Sequence, residues 1–240
     1  MLFSLSAFSQ KADIQFEHLS MKDGLSMNPV MAIAQDKSGF LWFGTQDGLN
    51  RYDGYKFVVY KSKEGDTTSI SDNFITSLCV DKSGKLWAGT HGNGINLLSK
   101  SLSGFKRFSP SNSHYFLNSG RIWSLAEDEN NILWIGTEKG ISAINTETEH
   151  FIDIYEKYPY LKTLENHSVL TVFYEGKGIC WFGTASGLIR FNSVDGNYRM
   201  FNSDKNSSSS LSHDIVISVF KDRKGNIWVG TRNSGVSLIN

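Results

Sequence analysis

The sequence predicts an all-β protein, a β-propeller of four-stranded antiparallel blades with five repeats present. Three observations carry that expectation. A W-x-G-T tetrad occurs five times, at Trp42, Trp87, Trp134, Trp181 and Trp228, with spacings of 45, 47, 47 and 47 residues; a fixed period in this range marks a repeat architecture. Short apolar runs alternate with turns rich in Asp, Gly and Asn, at the spacing of strands rather than helices. No amphipathic helical run of twelve or more residues is present, and the chain holds 22 glycines but only 3 prolines.

One unit is written directly from its residues. A first strand, Val30 to Gln35, leads into the turn Asp36-Lys37-Ser38-Gly39. The second strand, Phe40 to Thr45, is followed by a tight turn at Gln46-Asp47-Gly48. A third strand covers Leu49 to Tyr52, Asp53-Gly54 turns the chain, and Phe57 to Tyr60 forms the fourth. A polar loop over 61–72 reaches the next unit. The repeat cores fall at 30–60, 75–108, 122–154, 169–201 and 216–240 within one propeller region, 11–240.

The first turn recurs as Asp81…Gly84, Asp128…Asn131, Glu175…Gly178 and Asp222…Gly225, always with an acid six residues before the tryptophan. The acid bonds the backbone ahead of it, and glycine or asparagine takes the positive φ of a bulged hairpin. Each turn offers one carboxylate and the turns are far apart, so no metal site is expected.

The second strand is apolar on both faces and needs cover on both. The blade core is assigned to Trp42, Gly44, Trp87, Gly89, Trp134, Gly136, Trp181, Gly183, Trp228 and Gly230. Each tryptophan buries on the order of 200 Å², which at ~25 cal/mol/Å² is several kcal/mol per blade before entropy is counted.

The fourth strand is an aromatic pair: Phe57/Tyr60, Phe105/Phe108 and Tyr198/Phe201, with Phe151/Ile154 as a variant. Phe16/Leu19, in the alternating run Ile14 to Leu19, fits the same pattern without three strands before it. The fifth unit stops in its third strand. The N-terminal strand closing the fifth unit is one expectation. The opening part of a longer propeller is the other, and the abrupt stop favours it.

Lys+Arg equals Asp+Glu at 24 each, which argues against a nucleic-acid or anionic-membrane surface. Residues 1–10 read as a signal-peptide remnant, with Ala7-Phe8-Ser9 resembling a cleavage site, or as a frayed terminus. Cys79 and Cys180 occupy different places in their repeats and read as small buried hydrophobes. No glycine-rich phosphate loop or zinc spacing occurs, so no cofactor and no catalytic residue is assigned.

The run Trp42-Phe43-Gly44-Thr45-Gln46-Asp47-Gly48-Leu49-Asn50-Arg51-Tyr52-Asp53-Gly54, five times in register, resembles the two-component regulator propeller repeat, as does the lead-in Asp23 to Val30. The resemblance covers about 14–240; Asn131 and Glu175 depart from it. It implies the N-terminal part of a seven-bladed propeller in the periplasmic sensor of a Bacteroidetes hybrid two-component histidine kinase. Its implied partners are oligosaccharides from glycans, the remaining propeller, β-sandwich, membrane and kinase parts, and a second copy in a homodimer. The segment itself is expected to be no enzyme and to bind no nucleic acid.

On a propeller the turns between second and third strands share a rim with the loops entering the first strands. Candidate ligand-binding residues there are Gln46, Asp47, His91, Asn93, Arg121, Glu138, His167, His213, Asp214, Arg232 and Asn233, because loops on a rigid scaffold carry recognition and these side chains exchange hydrogen bonds with sugar hydroxyls. Trp123 joins them, since the other copies carry Met31, Thr76, Leu170 and Ile217 there; it is either an aromatic platform near the channel or core filling. Besides a ligand sensor, the sequence leaves open a protein-interaction scaffold and a glycan-active propeller enzyme.

Overall fold

The computed structural model describes residues 15–111 and 116–239. The signal-peptide reading of 1–10 lies outside them, as does Ile14. Five antiparallel sheets follow one another along the chain. Blade one holds β1 (Val30–Gln35), β2 (Leu41–Thr45), β3 (Gly48–Tyr52) and β4 (Phe57–Tyr60). Blade two holds β5 (Ile75–Val80), β6 (Leu86–Thr90), β7 (Ile95–Leu98) and β8 (Phe105–Phe108). Blade three holds β9 (Ile122–Glu127), β10 (Ile132–Thr137), β11 (Gly140–Asn145) and the short β12 (Phe151–Ile152). Blade four holds β13 (Val169–Gly176), β14 (Ile179–Thr184), β15 (Gly187–Asn192) and β16 (Tyr198–Phe201). Blade five holds β17 (Val216–Lys221), β18 (Ile227–Thr231) and β19 (Val236–Ile239). Strand order within each sheet follows the sequence, and the first strands of consecutive blades pack side by side on the inner side of the array.

Each residue of the W-x-G-T tetrad has a separate task. The indole N–H of Trp42, Trp87, Trp134, Trp181 and Trp228 donates to the acid six residues earlier, at 2.8, 2.9, 3.0, 2.8 and 3.0 Å. The threonine hydroxyl donates to a carbonyl across the next turn: Thr45 to Gly48 at 3.0 Å, Thr137 to Gly140 at 2.8 Å, Thr231 to Gly235 at 3.1 Å. The glycine makes room for the neighbouring blade. A Cβ on Gly44 would lie 2.8 Å from the Ile75 side chain, on Gly89 2.6 Å from Ile122, on Gly183 2.6 Å from Val216. The first residue of each inner strand from β5 onward, Ile75, Ile122, Val169 and Val216, thus seats against the preceding blade's glycine.

Four apolar clusters fill the spaces between successive blades. Trp42, Trp87, Trp134 and Trp181 are 0 to 2% exposed within them, whereas Trp228 is 40% exposed. Ile217 and Phe220 on β17 and Met31 and Ile33 on β1 are exposed as well, so the array carries an uncovered apolar face at each end.

Three expectations are corrected. Residues 15–19 form no strand, and Phe16 is 83% exposed; β19 has no fourth partner in its sheet, so the N-terminal run does not close blade five. Ile154 is not in a strand: β12 ends at Ile152, and Asp153 caps a short helix, α1 (Ile154–Lys157), by accepting the N–H groups of Tyr155 and Glu156. A 3₁₀ segment, Pro159–Leu164, follows, and Ile154, Leu161 and Leu164 bury what the missing half-strand would have covered. Blade four shortens the turn and places its register shift at Glu175, between Tyr174 and Gly176. Lys177 and Gly178, at φ 55° and 75°, form a two-residue turn inside the β13–β14 hairpin, where two consecutive positive φ values match the twist of the strands. The longer Glu175 side chain still reaches Trp181.

Candidate ligand-binding site

Antiparallel pairing of inner and second strands brings the residues just before each inner strand and those just after each second strand to one rim. His91 N–H bonds Phe74 O at 3.0 Å, Glu138 N–H bonds Arg121 O at 3.1 Å, and Arg232 N–H bonds Ile215 O at 3.0 Å. With Ala185 N–H on Ser168 O at 3.1 Å, the tight turn after the second strand is tied to the entry of its own blade's inner strand in blades two to five. In blades two and three the side chains of these ties converge.

Arg121 is the hub. Its Nη1 donates to Glu138 Oε1, its Nε donates to the His91 carbonyl at 3.3 Å, and its Cζ lies 5.9 Å from the Trp123 ring centre, within reach of a cation–π attraction. The His91 imidazole stacks on Phe74, with centroids 4.7 Å apart and planes at 9°, and meets Trp123 edge-on at 6.0 Å. Trp123 is half-buried and belongs to none of the four apolar clusters. The bulge at the start of β9 gives it a side-chain direction the regular ladder would not. Its Nε1 is buried and has no hydrogen-bond partner. An indole donor left unpaired costs roughly 1–3 kcal/mol, so this atom asks for an acceptor. Phe74 was not among the residues singled out from the sequence. Its signal was positional: it precedes Ile75 as Arg121 precedes Ile122.

The remaining candidates are not gathered here. Gln46 is exposed, and Asp47 pairs with Lys61 at 2.6 Å. Asn93 turns toward Asp72, with Nδ2 3.4 Å from Oδ2. His167 is exposed, its Nδ1 3.0 Å from the Glu165 carbonyl. His213 Nδ1 accepts the Ile215 N–H at 3.0 Å. Asp214 accepts the Ser203 N–H at 2.6 Å, and that bond leads the groups that lower its pKa. Arg232 and Asn233 project into solvent on blade five. Cavities elsewhere surround α1: one of about 370 Å³ beside Asn118, Tyr155 and Lys162, and one of about 160 Å³ beside Trp134 and Tyr158.

Both cysteines are free; Cys79 is half-buried and Cys180 buried. Burial pushes the Cys79 thiol up to about 12, with the Glu127 charge adding to it. No described helix is long and apolar enough to cross a membrane.

The family model described as "Two component regulator propeller" matches residues 24–47, 69–92, 117–139 and 210–233. Each matched segment runs from the entry loop of a blade into its W-x-G-T turn. Blade four is not among the matched segments, in keeping with Glu175 and Cys180 at positions where the other repeats carry Asp and Leu or Ile.

Among solved propellers, the chain superposes on the extracellular domain of BT3049 from B. thetaiotaomicron, assigned as a hybrid two component system, with TM-score 0.78 and 26% identity. That match covers 93% of this chain and 30% of the other. The extracellular domain of BT4673 from the same organism shares the fold at TM-score 0.72 and 24% identity, over 88% of this chain and 27% of that one. A segment of 73 residues, 29% of this chain, is 48% identical to Histidine kinase P4 of Formosa agariphila and covers 5% of it. The chain therefore spans less than a third of the length of these relatives.

Proposed function

We propose that the chain is a non-catalytic, extracytoplasmic ligand-sensing module of a two-component sensor kinase, and that it takes an oligosaccharide at the Trp123 cluster. The regulator propeller repeats and the likeness to extracellular domains of hybrid two-component systems support the sensor role. The observation that carries the binding site is the buried, unpartnered Nε1 of Trp123. Beside it lie an apolar ring face and an arginine–carboxylate pair. A sugar offers all three complements: a hydroxyl oxygen for the indole N–H, C–H groups for the ring, and further hydroxyls for Arg121 and Glu138.

Isothermal titration against a panel of glycan-derived oligosaccharides tests this reading. One or more should bind, and Trp123→Phe, which keeps an aromatic ring but removes the N–H, should weaken binding about tenfold, the loss of a hydrogen bond worth ~1.4 kcal/mol. Binding that is indifferent to both Trp123→Phe and Arg121→Gln would move the site elsewhere. Silence across the panel would remove the oligosaccharide from the proposal.

A further inference from the structure

Blade three departs from its neighbours where its entry loop meets its third strand. In blades one, two and five a serine seats that loop: Ser26, Ser71 and Ser212 each donate a backbone N–H to a side chain on the third strand. Blade three has Asn118 there, and its N–H is spent in the same way, on Ser142 Oγ at 3.0 Å. The longer side chain adds donors. Its Nδ2 bonds the Ile141 carbonyl at 2.6 Å and the Tyr155 hydroxyl at 3.1 Å. Tyr155 is brought there by α1, which follows the two-residue β12. Gly140 leaves it room, since a Cβ at that position would collide with the Tyr155 hydroxyl.

The Tyr155 oxygen accepts two N–H groups, from Asn118 and, at 3.3 Å, from Ile141. Its own proton has no acceptor among the described residues. Burial pushes the hydroxyl up to about 12, so the proton stays on and the group remains a donor. Tyr155 lines the cavity of about 370 Å³, together with Ile141, Ile152, Lys162 and the exposed ring of Phe116. Lys162 forms no ion pair among the described residues. Asn118 and Ile141 belong to the same two loops as Arg121 and Glu138, three residues away in each. Three residues of extended chain reach about 11 Å at most, so the cavity adjoins the Trp123 cluster. At the cluster and the cavity together, the carboxylates of Glu138, Asp153, Glu156 and Glu165 outnumber the cations of Arg121 and Lys162.

We infer that this cavity is a second subsite for the oligosaccharide proposed at Trp123, and that this oligosaccharide is uncharged and longer than one unit. The inference rests on that proposed site. One sugar unit occupies the Trp123 cluster and a neighbouring unit occupies the cavity. There a sugar oxygen accepts the Tyr155 O–H, further hydroxyls meet the Lys162 ammonium, and C–H groups cover the Phe116 ring. A uronate or sulfated unit would bring negative charge to a surplus of carboxylates, and that repulsion selects against it.

Titration calorimetry with cello-, manno- and galacto-oligosaccharides, each from monosaccharide to hexasaccharide, tests the inference, with oligogalacturonides as the acidic counterpart. In at least one neutral series affinity should rise about tenfold or more with length and then level off once both subsites are filled. Tyr155→Phe and Phe116→Ala should each return the longer sugars toward the affinity of the monosaccharide and leave the monosaccharide unchanged. Trp123→Phe should weaken every length. The Phe116 ring is exposed, so its truncation keeps the test readable if Tyr155→Phe unsettles α1. Affinity that is indifferent to length, or untouched by both cavity variants, overturns the second subsite and leaves the Trp123 site standing. Oligogalacturonides that bind as tightly as galacto-oligosaccharides of equal length overturn the selection for an uncharged chain. Silence in every series overturns the second subsite and the Trp123 site together.

Discussion

At the scale of single residues, the blade is held by an acid that serves two masters. Asp128 accepts the backbone N–H groups of Asn130 and Ile132 with one oxygen and the Trp134 indole with the other. It is 1% exposed, so Asp128→Ala leaves buried donors unpaired. A loss of about 3 kcal/mol in urea unfolding is expected from removing hydrogen bonds to a charged group. Trp134→Ala should cost roughly 3–5 kcal/mol by the same measurement. In the fifth blade the equivalent residue, Asp222, is only half-buried. The Trp228 indole, followed by Asn226 and the backbone, holds Asp222 at about 2. Its folded pKa lies below the unfolded value of 3.8, so its contribution to stability is whole above that value and disappears as pH falls toward 2. Melting curves of wild type and Asp222→Asn should therefore differ near pH 6 and converge near pH 2. The acid–tryptophan spacing is plain in the sequence, and its reading as a turn that bonds the backbone ahead holds for the four aspartates but not for Glu175. The second oxygen's bond to the indole was not legible, because it depends on the hairpin folding the turn back over the strand that follows.

At the scale of elements, strand positions could be read because each has a signal of its own: turn acids, the tetrad, the x-G step, the aromatic pair. The misreadings fall where a local signal competed with a stronger one. Ile154 matched the aromatic-pair spacing, yet Asp153 is an N-cap and Pro159 opens a 3₁₀ segment, so the chain leaves β11 after two paired residues. Replacing Asp153 by alanine removes bonds to the N–H groups of Tyr155 and Glu156. A loss of about 1 kcal/mol is expected, together with faster amide exchange in 154–157. The Trp123 cluster was partly legible. Its arginine, histidine and glutamate are legible as rim residues and its tryptophan as a channel platform or core filling, but nothing in the sequence says that blades two and three, rather than one or five, bring theirs into contact. Phe74 escaped because a hydrophobe beside a strand start reads as strand.

At the scale of the whole molecule, neighbours decide what a repeated residue is worth. Trp134 is 2% exposed and Trp228 is 40% exposed, although both sit in the same tetrad with the same indole bond. Trp228→Ala is expected to cost less than half of what Trp134→Ala costs, and equal losses would contradict the one-dimensional picture of blade-on-blade stabilisation. The same picture orders local stability. Amides of β6, β10 and β14, covered on both faces, should exchange more slowly than those of β2 and β18. The uncovered faces at β1 and β17–β18 are apolar patches that favour self-association.

The joint between blades is a glycine on one side and Ile75, Ile122, Val169 or Val216 on the other. Every unit from the second to the fourth carries both halves, a socket and a β-branched plug. A duplicated copy of such a unit inherits a fitting joint at each end and needs no compensating substitution in its neighbours. Lineages can lengthen or shorten an array of this kind by whole-unit gene duplication or loss, leaving the variable rim residues as the part on which selection for new recognition acts.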